Sequence, residues 1–106
     1  MEFLNRVELR GIVGSVNVTE VGGETAVRFS VATDHSYKGR NGELIIETTW
    51  HNCTAWSSTA PECTKLKKMD TIHLKGRIRA TNYSSADYGV RAVTDIFVNS
   101  LEILSL

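Results

Sequence analysis

The segment Thr71-Ile72-His73-Leu74-Lys75-Gly76-Arg77-Ile78-Arg79-Ala80-Thr81-Asn82-Tyr83 alternates apolar and polar residues. Successive side chains of a β-strand point to opposite faces. The alternation therefore predicts a strand with Ile72, Leu74, Gly76, Ile78 and Ala80 on one face. The other face carries His73, Lys75, Arg77, Arg79, Thr81 and Tyr83. An apolar face thus backs onto a cationic face that ends in an aromatic ring.

Upstream of this strand, Ser58–Met69 is the one helical candidate. Ser57 or Ser58 can cap it and Pro61 suits its first turn, while Ala60, Cys63, Leu66 and Met69 form a narrow apolar stripe. Lys65, Lys67 and Lys68 load its C-terminal end, where the helix dipole favours cations. Before the helix, Glu43–Trp56 reads as a strand with two unlike parities. Trp50, Asn52, Thr54 and Trp56 share one face, and His51, Cys53 and Ala55 share the other. The second set suits a core. The first mixes tryptophan with polar residues, which places Trp50 and Trp56 on a surface or groove.

Further toward the N-terminus, Thr25–Thr33 alternates with Val27, Phe29 and Val31 inward. It is joined to the next strand by the polar stretch Asp34–Gly42, whose Asn41-Gly42 signals a hairpin with a cationic tip. The first strand, Asn5–Val18, contains Gly11 and Gly14, which suggest a bulge or sharp bend as at a barrel corner. A turn at Val21-Gly22-Gly23-Glu24 follows it. Downstream of Tyr83, Asn82–Val90 reads as a second long polar hairpin, and Arg91 to about Leu104 as the last strand. The expected fold is all-β: a five-stranded OB-fold barrel with one short helix between strands 3 and 4 and long β-hairpin loops.

The chain has 106 residues and is read as a single domain, 1–106, long enough to hold a core without metals or disulfides. Its 12 basic and 12 acidic side chains cancel, which excludes attachment to polyanions by bulk charge. No apolar run approaches the ~20 residues of a membrane span, and the charged start lacks a secretory signal. Cys53 and Cys63 form no C-x-x-C pair, and His35, His51 and His73 are not spaced around them as zinc ligands. They read as two reduced, mostly buried thiols, with a disulfide or metal role as the alternative. No hydrolase, metalloprotease or nucleotide-binding motif occurs. No catalytic residue, metal or cofactor is expected.

The zero total conceals an uneven distribution. Residues 65–91 carry seven basic and two acidic side chains, whereas residues 1–34 carry three and five. The excess lies on the Lys65–Lys68 segment, the outer face of the fourth strand, and Arg91. Single-stranded nucleic acid is held by aromatics that stack on bases beside cations that follow phosphates. Here Trp50 and Trp56 share an outer face with Asn52. His73, Lys75, Arg77, Arg79 and Tyr83 share another, and Tyr37, Lys38 and Arg40 share a hairpin. These eleven positions and Arg91 are the candidate nucleic-acid-binding residues.

At these positions the sequence resembles the bacterial single-stranded DNA-binding protein family over about Asn5–Leu104. Asn5-Arg6-Val7-Glu8-Leu9-Arg10-Gly11 is similar to that family's first strand and Phe29-Ser30-Val31-Ala32-Thr33 to its second. Glu47-Thr48-Thr49-Trp50-His51 matches its third-strand signature, Ile72–Arg79 its fourth strand, and Asp95-Ile96-Phe97-Val98-Asn99 its fifth. By position, the family's base-stacking aromatics fall on Tyr37, Trp50, Trp56 and Tyr83. The resemblance implies sequence-independent binding of single-stranded DNA in replication, recombination and repair, in the cytoplasm at the nucleoid. It also implies a homotetramer, with a dimer as the alternative. His51 would lie toward a subunit contact or be a satisfied buried histidine. Family members normally continue into a Gly/Pro/Gln-rich linker and an acidic tail. This sequence ends at Leu106, so tail-mediated replication and repair partners are not expected. Its shortness is also similar to primosomal replication protein, which implies an alternative role as a protein-interaction or helicase-loading module.

Overall fold

The computed structural model describes residues 2–85 and 89–105, with the side chains of 83–85, 90 and 91 outside the described set. Five strands follow in order: β1 (Val7–Val21), β2 (Glu24–Lys38), β3 (Leu44–Trp56), β4 (Thr71–Ser85) and β5 (Gly89–Ile103). A 3-10 helix, Pro61–Lys65, lies between β3 and β4. The strands close into a barrel in the order β1-β2-β3-β5-β4, with β4 returning to β1. All neighbours are antiparallel except β3 and β5, which touch in parallel at Cys53↔Ile96 and Thr54↔Phe97. This is the OB-fold barrel expected from the strand pattern.

Alternation builds the core. Val13, Val27, Phe29, Val31, Cys53, Ala55, Ile72, Leu74, Ile96 and Val98 all point inward and are buried. Complete burial of a Val, Leu, Ile or Phe side chain contributes roughly 1.5–3 kcal/mol. Both cysteines are free and buried. Among the described residues no buried side-chain nitrogen or oxygen lacks a hydrogen-bond partner.

Two bulges let the strands curve. Val13 faces Val31 but Val16 faces Phe29, so β1 carries one extra residue near Gly14. The freed Ser15 N–H donates to Ser30 Oγ at 2.9 Å, which satisfies the backbone where the ladder is interrupted. In β5 the register slips where Lys75 faces Ser100 and Gly76 faces Val98. Gly76 meets its neighbour so closely that a Cβ there would lie 2.1 Å from the Phe97 carbonyl oxygen.

Several sequence expectations are corrected. The helix is five residues long, not the Ser58–Met69 segment. Ala60, Cys63 and Leu66 are buried at a spacing of three, the period of a 3-10 helix. Ser57 does not cap it, because its Oγ accepts the Thr25 N–H at 3.1 Å. Met69 lies past its end and is exposed. The second strand runs to Lys38 rather than Thr33, since Asp34–Lys38 continues to pair with Leu44–Thr48. Likewise the first strand reaches Val21 and the fourth reaches Ser85. Ile78, expected in the apolar face, is 52% exposed, because the ladder of β4 with β1 ends at Gly76 and leaves that side of β4 without a neighbouring strand. Ala80 is exposed for the same reason.

Candidate nucleic-acid interface

The parallel contact between β3 and β5 spans two residue pairs. The earlier parts of both strands, each in its own antiparallel hairpin, therefore diverge and leave a cleft between them. Trp50, Asn52, Ile78 and Thr94 line its mouth. Trp50 is 58% exposed. Its indole lies against β1, so close to Gly14 that a Cβ there would come within 2.3 Å of the ring. The glycine thus makes the seat on which the ring rests.

Trp56 occupies a separate hollow. It is half-buried and shares that hollow with Arg28, Thr54 and Arg79 from three strands. Arg28 also lines a neighbouring hollow with Asn17, Asn52 and Asp95. The outer surface of β2-β3-β5-β4 thus carries Arg28, Asn52, Trp56 and Arg79 together.

Arg79 is held firmly. Its Nε and Nη2 donate to Asp95 at 3.2 and 3.0 Å. Thr54 Oγ1 donates to the same carboxylate at 2.7 Å. Thr54 is consequently 7% exposed although it stands on the outward parity. The guanidinium groups of Arg77 and Arg79 lie 4.5 and 5.2 Å from the centre of the Phe97 ring, where the ring quadrupole attracts cations. Arg77 has no carboxylate partner among the described residues.

Tyr37, Lys38 and Arg40 stand exposed at the far end of the β2–β3 hairpin. Tyr37 is 42% exposed and its hydroxyl donates to Glu47 at 3.0 Å. Its ring stacks with that of His35 at 6.1 Å between centres. The tip is closed by Gly39 N–H donating to the Glu43 carbonyl at 2.8 Å.

His73 and Lys75 stand apart from these groups. His73 pairs with Glu8 of β1, and Lys75 faces Glu8 and Ser100. At ~3.3 Å per residue, His73 is about 20 Å along β4 from Arg79. The bond from His73, then the charges of His73, Lys75 and Arg10, lower the Glu8 pKa. Tyr83 and Arg91 face one another in the β4–β5 ladder, but their side chains lie outside the described residues. His51 is half-buried, with a ring nitrogen 2.8 Å from Thr33 Oγ1.

Sequence reasoning missed Arg28 and Phe97 as parts of this surface. Arg28 was legible as the outward neighbour of Val27, and Phe97 as the residue between the inward Ile96 and Val98. Their meeting with Trp56 and the β4 arginines depends on strands distant in the chain. No group of three His, Cys, Asp or Glu that could hold a metal occurs among the described residues. No described helix is long and apolar enough to cross a membrane.

Fold and surface together define a small OB barrel that presents aromatic rings and cations outward. Comparison with known proteins makes the assignment specific. The single-strand binding protein family model matches residues 4–104, and the chain belongs to that family. The single-stranded DNA-binding protein of Neisseria meningitidis serogroup A is 35% identical over 104 residues, covering 95% of this chain and 60% of the relative. That of Bacteroides thetaiotaomicron is 36% identical over 107 residues, covering 96% of this chain and 66% of the relative. The chain thus spans about three-fifths to two-thirds of the length of these relatives. Among solved structures, a Plasmodium falciparum SSB complex with ssDNA superposes with a TM-score of 0.81 at 23% identity, covering 99% of this chain and 98% of that one. A Thermus aquaticus single-stranded DNA binding protein variant superposes with a TM-score of 0.78 at 15% identity, covering 96% of this chain and 51% of that one. These two likenesses concern the fold.

Proposed function

We propose that this chain binds single-stranded DNA without strong sequence preference and performs no chemistry on it. Membership of the single-strand binding protein family supports the reading, and the observation that carries it is the exposed indole of Trp50 at the mouth of the β3–β5 cleft. Unpaired bases stack there and on Trp56, and the Tyr37 hairpin extends the path. Arg28, Arg77, Lys38 and Arg40 follow the phosphates. Tyr83 and Arg91 belong to the same proposal by their place on the β4–β5 hairpin. His73 and Lys75 are the weakest members of the set, because Glu8 pairs with His73 and faces Lys75.

Stacking on an aromatic is worth roughly 1–3 kcal/mol per base and tolerates any base, since every base has a π-face. A few such platforms suffice for tight binding on a protein of zero formal charge. The proposal extends to protection of single-stranded DNA in replication, recombination and repair, and to a cytoplasmic, nucleoid-associated setting. It also includes a homo-oligomer, tetramer before dimer. The paired register of β1 with β2 begins at Ile12, so Val7–Arg10 is partnered on the β4 side alone. A strand edge of this kind is a template for a second copy.

Titration with oligo-dT tests the reading, with tryptophan fluorescence and light scattering followed together. Strong quenching, salt-sensitive affinity and a multimeric mass are expected, with much weaker binding of duplex DNA. Unchanged fluorescence with no bound dT would overturn it in favour of a protein-interaction module.

A further inference from the structure

Met69 is the sole non-glycine among the described residues with a positive φ, at 78°. A side chain in this region suffers a clash between Cβ and backbone that glycine avoids. The conformation is imposed from several directions. Met69 N–H donates to the Val13 carbonyl at 2.8 Å, and Val13 N–H donates to the Asp70 carbonyl at 2.8 Å. Lys67 N–H donates to Asp70 Oδ2 at 2.9 Å. Strain that is over-determined in this way is informative where it coincides with a functional surface.

It does coincide. Met69 is 69% exposed, so its side chain does not serve the core. It lines a largely apolar groove of about 550 Å³ together with Trp50, Ile12, Gly14, Ala32 and Lys68. Such a volume far exceeds the roughly 30 Å³ share of one water and accommodates a flat ring. The groove is continuous with the Trp50 platform, and Lys68 supplies a cation at its rim, beside Lys67 and Lys65 of the same segment.

We propose that Met69 and Trp50 form the two walls of a slot that holds one unpaired nucleobase, with Lys68 placed for the adjoining phosphate. The inference rests on the reading of the chain as a single-stranded DNA binder and adds a contact residue to it. A polarizable, unbranched thioether adapts to whichever base enters, and sulfur lies favourably against aromatic rings. The strained backbone is retained because it carries that side chain over the groove.

Glycine at this position relieves the strain and removes the wall, so stability and binding should move in opposite directions. The experiment uses the full chain with Trp56→Phe, so that Trp50 alone reports. Met69→Gly is expected to raise the thermal midpoint by a few degrees. It should also weaken dT binding about three- to tenfold and reduce the quenching of Trp50. Met69→Asn, which tolerates positive φ but is polar, should weaken binding similarly. Unchanged dT affinity and quenching in both variants overturns the slot while leaving the DNA-binding reading intact. A parent chain that binds no dT and shows no quenching overturns the reading itself.

Discussion

Arg77 and Arg79 differ by two positions in sequence and share a face, yet their surroundings give them different tasks. Arg79 is fixed by two bonds to Asp95, which Thr54 also holds. Arg77 lies over Phe97 with no carboxylate partner among the described residues. Arg77→Ala is therefore expected to flatten the dependence of log K on log salt by about 0.7, the contribution of one phosphate on a single strand. Arg79→Ala should mainly lower stability, by about 1–3 kcal/mol, because it leaves Asp95 half-buried and without its cation. Measuring salt slope and denaturant midpoint for both variants checks the division; equal loss of slope would contradict it. Cys53 offers a second test. Burial, followed by the charge of Asp95, pushes its thiol from 9.0 up to about 12. A pKa raised on folding contributes stability that is fully present below about 9 and lost as pH rises toward 12. The native thiol should thus resist a thiol-selective reagent at pH 8 and react once the chain unfolds, since the thiolate is the reactive form. Rapid labelling of the folded protein would show that Cys53 is not enclosed.

The β4–β5 pair shows how an element acquires its shape from one crowded position. Gly76 faces Val98 beside the register slip, and a methyl group there would lie 2.1 Å from the Phe97 carbonyl oxygen. Backbone cannot yield as a flexible side chain can. Gly76→Ala is expected to cost about 1–3 kcal/mol, the usual range for overpacking. It should also disturb the Phe97 ring on which Arg77 and Arg79 rest. Thermal unfolding together with dT affinity measures both effects, and an unperturbed midpoint would show that the bulge absorbs the methyl group. The segment between β3 and β4 makes a related point. Its apolar spacing of three satisfies a 3-10 turn as readily as one face of a longer helix. Lacking a side-chain cap, it forms the shorter element. The pattern of Ala60, Cys63 and Leu66 was visible in sequence, whereas the diversion of Ser57 to Thr25 was not.

In the whole molecule, closure turns five alternating strands into two distinct surfaces. The interior takes the apolar parities of all five. The exterior collects residues that are remote in sequence: Arg28 from β2, Trp56 from β3, Arg79 from β4. A formal charge of zero therefore coexists with a cationic, aromatic exterior on one side, while Glu8 pairs with His73 and faces Lys75 on another. The proposed DNA path follows the first surface. Its cost in stability is modest, because the exposed indole of Trp50 stands outside the core cluster.

Alternation along the chain was enough to establish the strand count, the inward sets of β2 and β3, and the outward placement of Trp50, because side-chain direction in a strand is local geometry. Pairing partners are not local. That Gly14 would seat an indole, that Asp95 would claim Arg79, and that Met69 would be carried over a groove all depend on β1, β3, β4 and β5 meeting across the barrel. Those meetings follow from register, bulges and closure, which bring together residues well separated along the chain.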